Sequence, residues 1–305
     1  MRTILFSFLP ALLFSQPSDV QMENVSIISE GTRMHGERFF AKSNAGKKLP
    51  TVVMAHGWGG VAQSLRPDAV LLAQAGYLVL SFDYRGWGQS DARMIATGPV
   101  PKHEKGAAFT AEVRDVREVV DPLDFGADWL NALHWVAGDA MCDVTRIGVW
   151  GSSFSGGLVV WAAARDARVK SLHSQVGSLD GRPLALMDGK RLYESSTKRA
   201  RGESGYPGPM AVEIGKLRGA PILSRFADFA PVEDVGRAAK CAMQFVIAEK
   251  EELFDNKDHA IKAYQRHTGP KNLVSIPNIT HYGIYYEARK QAQQLAIAWF
   301  DKTLK

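Results

Sequence analysis

From residue 24 onward, short apolar runs alternate with amphipathic stretches. Val25-Ser26-Ile27-Ile28 and Arg38-Phe39-Phe40-Ala41 read as two opening strands, antiparallel to each other. Thr51-Val52-Val53-Met54-Ala55 is apolar without alternation and stops at a glycine-rich turn, the pattern of a strand buried on both faces. Residues 64–75 predict a helix closed by Gly76, and residues 77–82 the next strand. Residues 109–120 and 123–137 read as helices; in the second, Trp129, Ala132, Leu133 and Val136 fall at i, i+3, i+4 and i+7. Further strands are expected at 146–150, 169–176, 242–247 and 273–276, with a helix beginning at Gly156. Ala288, Ala292, Leu295, Ala296 and Trp299 stripe one face of a closing helix. Strand alternating with helix over this length predicts an α/β protein with a mostly parallel sheet.

Two segments depart from this rhythm. Residues 3–18 carry no charge and stand between Arg2 and Asp19, and their apolar core from Ile4 to Phe14 is too short to span a bilayer. Residues 1–20 therefore read as a signal peptide or hydrophobic leader, and residues 21–305 as the folded domain. A secreted or periplasmic protein is expected. The cytoplasm is the alternative, because no A-x-A cleavage pattern is present, Pro17 sits near the plausible cut, and Met22 could be the true start. The second departure, at about 182–230, is too long for a plain connection and reads as a cap inserted between two strands. It holds Arg182, Lys190, Arg191, Lys198, Arg199 and Arg201, a basic character that points weakly to an acyl chain bearing a carboxylate.

Composition narrows the class. The chain has 305 residues, 46% hydrophobic and 23% charged, which excludes a disordered chain, a collagen-like repeat and a polytopic membrane protein. Its two cysteines exclude a disulfide framework and a cysteine-rich zinc module. A net charge of +5 without any long Lys/Arg run marks no nucleic-acid surface. There is no H-E-x-x-H, no clustered His/Asp ligand pattern and no P-loop, so neither a metal nor a nucleotide cofactor is expected. The sequence is silent on oligomeric state.

The strongest chemical signal is Val149-Trp150-Gly151-Ser152-Ser153-Phe154-Ser155-Gly156-Gly157, entered from a strand and left by a helix. A nucleophile on such a turn needs small residues two positions to either side, because the backbone there is strained and closely packed. Ser153 has Gly151 before it and Ser155 after it, a variant of G-x-S-x-G. The helix N-terminus behind it favours developing negative charge. Ser152 and Ser155 are in the wrong register and read as structural. In His56-Gly57-Trp58-Gly59-Gly60 the glycines allow close approach, and the N–H groups of Trp58 and Phe154 are the expected oxyanion hole, with His56 holding the loop. His281 follows the last strand, where a base for Ser153 must enter. His35, His103, His134, His173, His259 and His267 have no such support. Beyond the strand at 242–247, Glu251 is the expected acid, with Glu252, Asp255 and Asp180 as rivals.

The order Ser153, Glu251, His281, together with the HGWGG loop and the turn around Ser153, resembles the α/β-hydrolase fold over roughly residues 24–305. Phe82-Asp83-Tyr84-Arg85-Gly86-Trp87-Gly88-Gln89-Ser90 resembles the D-x-R-G-x-G-x-S stretch after the fourth strand. The Thr280-His281-Tyr282-Gly283 ending is similar to dienelactone-hydrolase-like and acyl-peptidase-like branches. Glu251 departs from the pattern, standing where aspartate is usual. The resemblance implies an eight-stranded, mostly parallel sheet with helices on both faces. It also implies a cofactor-free serine hydrolase acting on a small-molecule acyl substrate. Hydrolysis of a carboxylic ester or lactone through an acyl-enzyme is expected first. Peptidase, thioesterase or acyltransferase chemistry on the same residues is the alternative, and a binding protein that has lost its chemistry is a third reading.

Overall fold

A computed structural model describes residues 17–187, 189–209 and 217–305; the leader lies largely outside them. Among the described residues, no helix is long and apolar enough to cross a membrane. Eight strands form the main sheet: β1 (Val20–Ser29), β2 (Thr32–Ala41), β3 (Leu49–Ala55), β4 (Leu78–Phe82), β5 (Cys142–Ser152), β6 (Val169–Gln175), β7 (Ala242–Lys250) and β8 (Lys271–Thr280). Their order is β1-β2-β4-β3-β5-β6-β7-β8, and β2 runs antiparallel to both its neighbours while the other pairs are parallel. The opening hairpin and the mostly parallel sheet are as the sequence pattern indicates. Every residue of β3 and β4 is buried, which is why these strands read as unbroken apolar runs.

Helices cover both faces. α1 (Arg66–Gln74) and α9 (Arg289–Leu304) pack on one, where Phe300 and Leu304 close over Gly148 of β5. α2 (Pro122–Ala137), α3 (Phe154–Ala163) and α8 (Ala260–Arg266) pack on the other, around Phe125, Trp129, Leu158 and Val159. α2 starts at Asp121, whose carboxylate accepts the Leu123 N–H at 3.0 Å, with Pro122 at the first helical position. Between β6 and β7 the chain forms α4 (Arg182–Leu186), α5 (Gly189–Ala200), α6 (Leu223–Phe226) and α7 (Pro231–Asp234). Glu233 ties this connection together: it receives Arg182 at 3.0 Å and also meets Arg266 and Lys262.

One expected element is absent. Residues 109–120 are not helical; Val113–Val116 pairs antiparallel with Arg93–Ala96, and Val119–Val120 pairs with Ala220–Pro221. The stretch carries β-branched Val113, Val116, Val119 and Val120, which lose side-chain freedom in a helix and fit a pleated ribbon. The helix expected from Gly156 starts two residues earlier, at Phe154.

Candidate active site

Ser153 occupies the turn between β5 and α3 with φ 57° and ψ −123°, a backbone region that an L-residue enters only under constraint. Three hydrogen bonds hold it there: Ser153 N–H to Gln175 O at 2.9 Å, and Ser153 O to the N–H groups of Gly156 at 2.9 Å and Ser178 at 3.1 Å. Any side chain at Gly151 would collide with the Ser155 carbonyl, and one at Gly157 with the Ser178 carbonyl. The serine at position 155 is accommodated because its hydroxyl turns into the core and accepts from Tyr84 OH at 3.1 Å, which itself accepts from Trp129 Nε1 at 2.9 Å.

His281 follows β8 and is 1% exposed. Its Nε2 lies 2.9 Å from Ser153 Oγ, and its Nδ1 lies 2.9 Å from both carboxylate oxygens of Glu251, whose side chain is 2% exposed. The structure therefore brings together the serine, the histidine and the glutamate picked out in the sequence. The rivals are engaged elsewhere. Glu252 accepts the His281 backbone N–H at 2.6 Å, Asp255 accepts the Lys257 N–H at 2.9 Å, and Asp180 is held by Arg182 at 2.6 Å. The acid-bearing loop makes a further contact: Glu249 accepts the N–H of Asn278, a residue at φ 62°. Neither backbone grip was legible in the sequence.

The loop after β3 lies against the turn. A methyl group at Gly57 would stand 3.6 Å from Ser153 Oγ and 2.9 Å from Ser152 O. The Trp58 and Phe154 N–H groups have no acceptor among the described residues. Asp83 braces this loop from below, accepting Ala62 N–H at 2.6 Å and Gln89 N–H at 3.0 Å, while Gly88 (φ 50°) leaves room for its carboxylate. Arg85 in the same stretch forms a buried ion pair with Asp128 at 2.6 Å, with Ser29 completing the cluster. His56 Nδ1 lies 2.8 Å from Gly57 O, and burial lowers its pKa, so the ring holds the loop as a neutral group. Ser152 hydroxyl meets Tyr285 OH at 2.7 Å and accepts Gln175 Nε2 at 3.1 Å. Burial pushes the Tyr285 phenol up to about 12, so it stays protonated.

Two cavities meet at Ser153. One, of about 240 Å³, is walled by Trp58, Phe154, Leu184, Leu217, Phe226 and Phe254, among others, with His259 and Ser178 as polar insets. The other, of about 470 Å³, runs past Gly57–Gly60 to Tyr282, Tyr285, Tyr286, Asp68 and Arg289. No Lys or Arg lines the apolar cavity among the described residues, so the carboxylate-bearing acyl chain anticipated from the basic cap finds no cation there. Arg182, which lies between the lining residues Gly181 and Pro183, is already paired with Asp180 and Glu233.

Sheet order, a single antiparallel second strand, helices on both faces and a serine on the turn after the fifth strand define the α/β-hydrolase fold. The chain is similar to the α/β-hydrolase fold superfamily: a family model described as the alpha/beta hydrolase fold matches residues 50–196, a little under half of the chain. An uncharacterized 31.7 kDa protein of Escherichia coli, from the traX-finO intergenic region, is 26% identical over 287 residues, covering 84% of this chain and 92% of that protein. Among solved structures, a hypothetical protein from Pseudomonas aeruginosa has a TM-score of 0.76 at 17% identity, covering 99% of this chain and 100% of that one. An acetyl xylan esterase from Paenibacillus sp. R4 has a TM-score of 0.61 at 19% identity, covering 95% and 86%.

Proposed function

We propose that this protein is a serine hydrolase that cleaves a carboxylic ester or lactone through an acyl-enzyme. Ser153 Oγ attacks the carbonyl carbon as His281 Nε2 takes its proton. The imidazolium is stabilised by Glu251 and returns the proton to the departing alkoxide. Water then enters and attacks the acyl carbon as His281 accepts its proton; the acyl–Ser153 bond breaks to release the acid, and His281 returns the proton to Ser153 Oγ. The N–H groups of Trp58 and Phe154 receive the oxyanion in both halves, aided by the N-terminal end of α3.

One observation carries this reading: a serine at φ 57° whose hydroxyl is 2.9 Å from an imidazole backed by a buried carboxylate. A structural serine has no need of a strained turn with glycines packed against it. The apolar cavity suits the acyl portion, and the polar one suits the leaving group and water.

The test pairs a substrate panel with Ser153→Ala. Ester, lactone, thioester and aminoacyl-anilide substrates are compared on the wild type, and an organophosphate probe is mapped by mass spectrometry. Ser153 should be labelled, esters or lactones should lead the panel, and Ser153→Ala should lose roughly 10⁴–10⁶ in kcat with its fold intact. Full turnover by Ser153→Ala would end the proposal.

A further inference from the structure

His259, at the start of α8, is 4% exposed, yet among the described residues its side chain makes a single hydrogen bond. Nδ1 accepts the Leu179 backbone N–H at 2.8 Å, so the ring proton of the neutral imidazole sits on Nε2. Nε2 has no partner among the described residues, and the ring lines the apolar cavity beside Ser153. Ser178 lines the same cavity, and its hydroxyl also makes no hydrogen bond among the described residues. Phe254 stands between His259 and the reacting histidine, with ring centroids 4.4 Å from His259 and 5.7 Å from His281. Nε2 is not sealed from solvent but opens onto this cavity, so a ligand oxygen that displaces water there can accept its proton.

We propose that the Nε2–H of His259 is a specificity donor, and that the acyl chain cleaved here carries a neutral oxygen, a ketone or hydroxyl, along an otherwise apolar stem. This deepens the acyl-enzyme reading above and rests on it. A carboxylate is the poorer occupant. The charged groups around the ring are Asp180, Asp255 and Asp258 against Lys262, and burial lowers the His259 pKa, leaving a neutral donor without the charge to offset a buried anion. The Ser178 hydroxyl can donate to the same oxygen or accept from a substrate hydroxyl. The aromatic walls at Trp58, Phe154 and Phe226 take the methylenes.

The experiment measures kcat/KM by proton release for methyl hexanoate and methyl octanoate against their oxo and hydroxy counterparts substituted at successive carbons. Wild type, His259→Phe and His259→Gln are compared. At least one oxygenated ester should exceed its plain parent by about ten-fold in the wild type, as expected for one added hydrogen bond. The ratio should fall to about one in His259→Phe, which keeps the ring bulk but lacks the donor. His259→Gln should restore part of it, since its amide oxygen can take the Leu179 N–H while its NH₂ donates. The proposal is overturned by a wild type that prefers no oxygenated acyl chain, by a preference unchanged in His259→Phe, or by equal loss on both esters. If His259→Phe does not fold, the wild-type series and His259→Gln decide. The underlying reading fails differently: no ester is turned over and the organophosphate probe leaves Ser153 unlabelled.

Discussion

Replacing Gly57 by alanine places one methyl group between the loop after β3 and the turn that carries Ser153. That methyl would stand 2.9 Å from Ser152 O and 3.0 Å from Ser153 Cβ. Comfortable carbon contacts begin at about 3.5 Å, so roughly half an ångström of separation must be found. The turn cannot supply it, because Ser153 is fixed by hydrogen bonds to Gln175, Gly156 and Ser178 and Ser152 closes strand β5. The loop must retreat, and the Trp58 N–H goes with it. An oxyanion donor at a normal 2.9 Å would then lie at about 3.4 Å, where little of a hydrogen bond survives. Losing one such donor costs about 10²–10³ in kcat. Gly57→Ala should therefore lower kcat by about 100-fold while KM moves less than about three-fold, since the donor acts on the transition state. The melting temperature should fall by only about 2–4 °C, as a strain near 1 kcal/mol would give in a chain this size. The assay is steady-state hydrolysis of a short-chain p-nitrophenyl ester, with active sites counted by organophosphate titration so that misfolded protein is not read as slow catalysis. A kcat within about three-fold of wild type would refute the assignment of Trp58, whatever the melting temperature did.

Two other positions give sharp expectations. Glu252 is exposed and accepts the His281 backbone N–H, so a positioning role is expected of it. Glu252→Ala should cost about ten-fold in kcat at nearly constant KM, and Glu252→Gln, whose amide oxygen can still accept, should recover most of it; equal loss in both would refute positioning through that bond. His173 is fully buried between Gln244 and Gln175, and burial pushes it down to about 4. Its folded pKa lies below the unfolded value near 6.5, so the unfolded chain binds the proton more readily, and stability falls as pH drops from about 6.5 to about 4. The difference in urea stability between wild type and His173→Asn should shrink by about 3 kcal/mol over that window; a pH-independent difference would contradict it.

The residues that were readable from the sequence share a physical reason. Ser153 had to be preceded by glycine at 151 and followed by small residues at 155, 156 and 157, because carbonyls of the turn itself, of Ser178 and of the neighbouring strand leave no space there. That demand is written within a few positions. His281 and Glu251 were readable because parallel strands in one sheet deliver their C-terminal loops to the same edge, so chain order predicts proximity. What remained illegible depends on partners far along the chain or on an exposed ribbon. The strand at 113–116 shows its valine to solvent at Val113, so its alternation carried no burial signal and helix was read instead. Glu252 and Glu249 act through backbone N–H groups of Asn278 and His281, contacts indifferent to side-chain identity at their far end.

His259 is the instructive case, because nothing within its own segment distinguishes it from the other histidines without a motif. Its tautomer is set by the backbone of Leu179, 80 positions earlier, and its surroundings by Phe254 and the walls of a cavity built from four separate connections. The same distance from its determinants separates two kinds of information in this chain. Residues that perform bond chemistry must meet strict local geometry and leave a local trace. Residues that choose among substrates need only face the right cavity, and any of several elements can supply them. A fold of this class can therefore keep Ser153, His281 and Glu251 in place while the wall opposite them changes. It follows that exchanging His259 should alter which acyl chain is preferred without moving the pH dependence of hydrolysis, and a variant that shifted both together would show that His259 and His281 are coupled through Phe254 rather than independent.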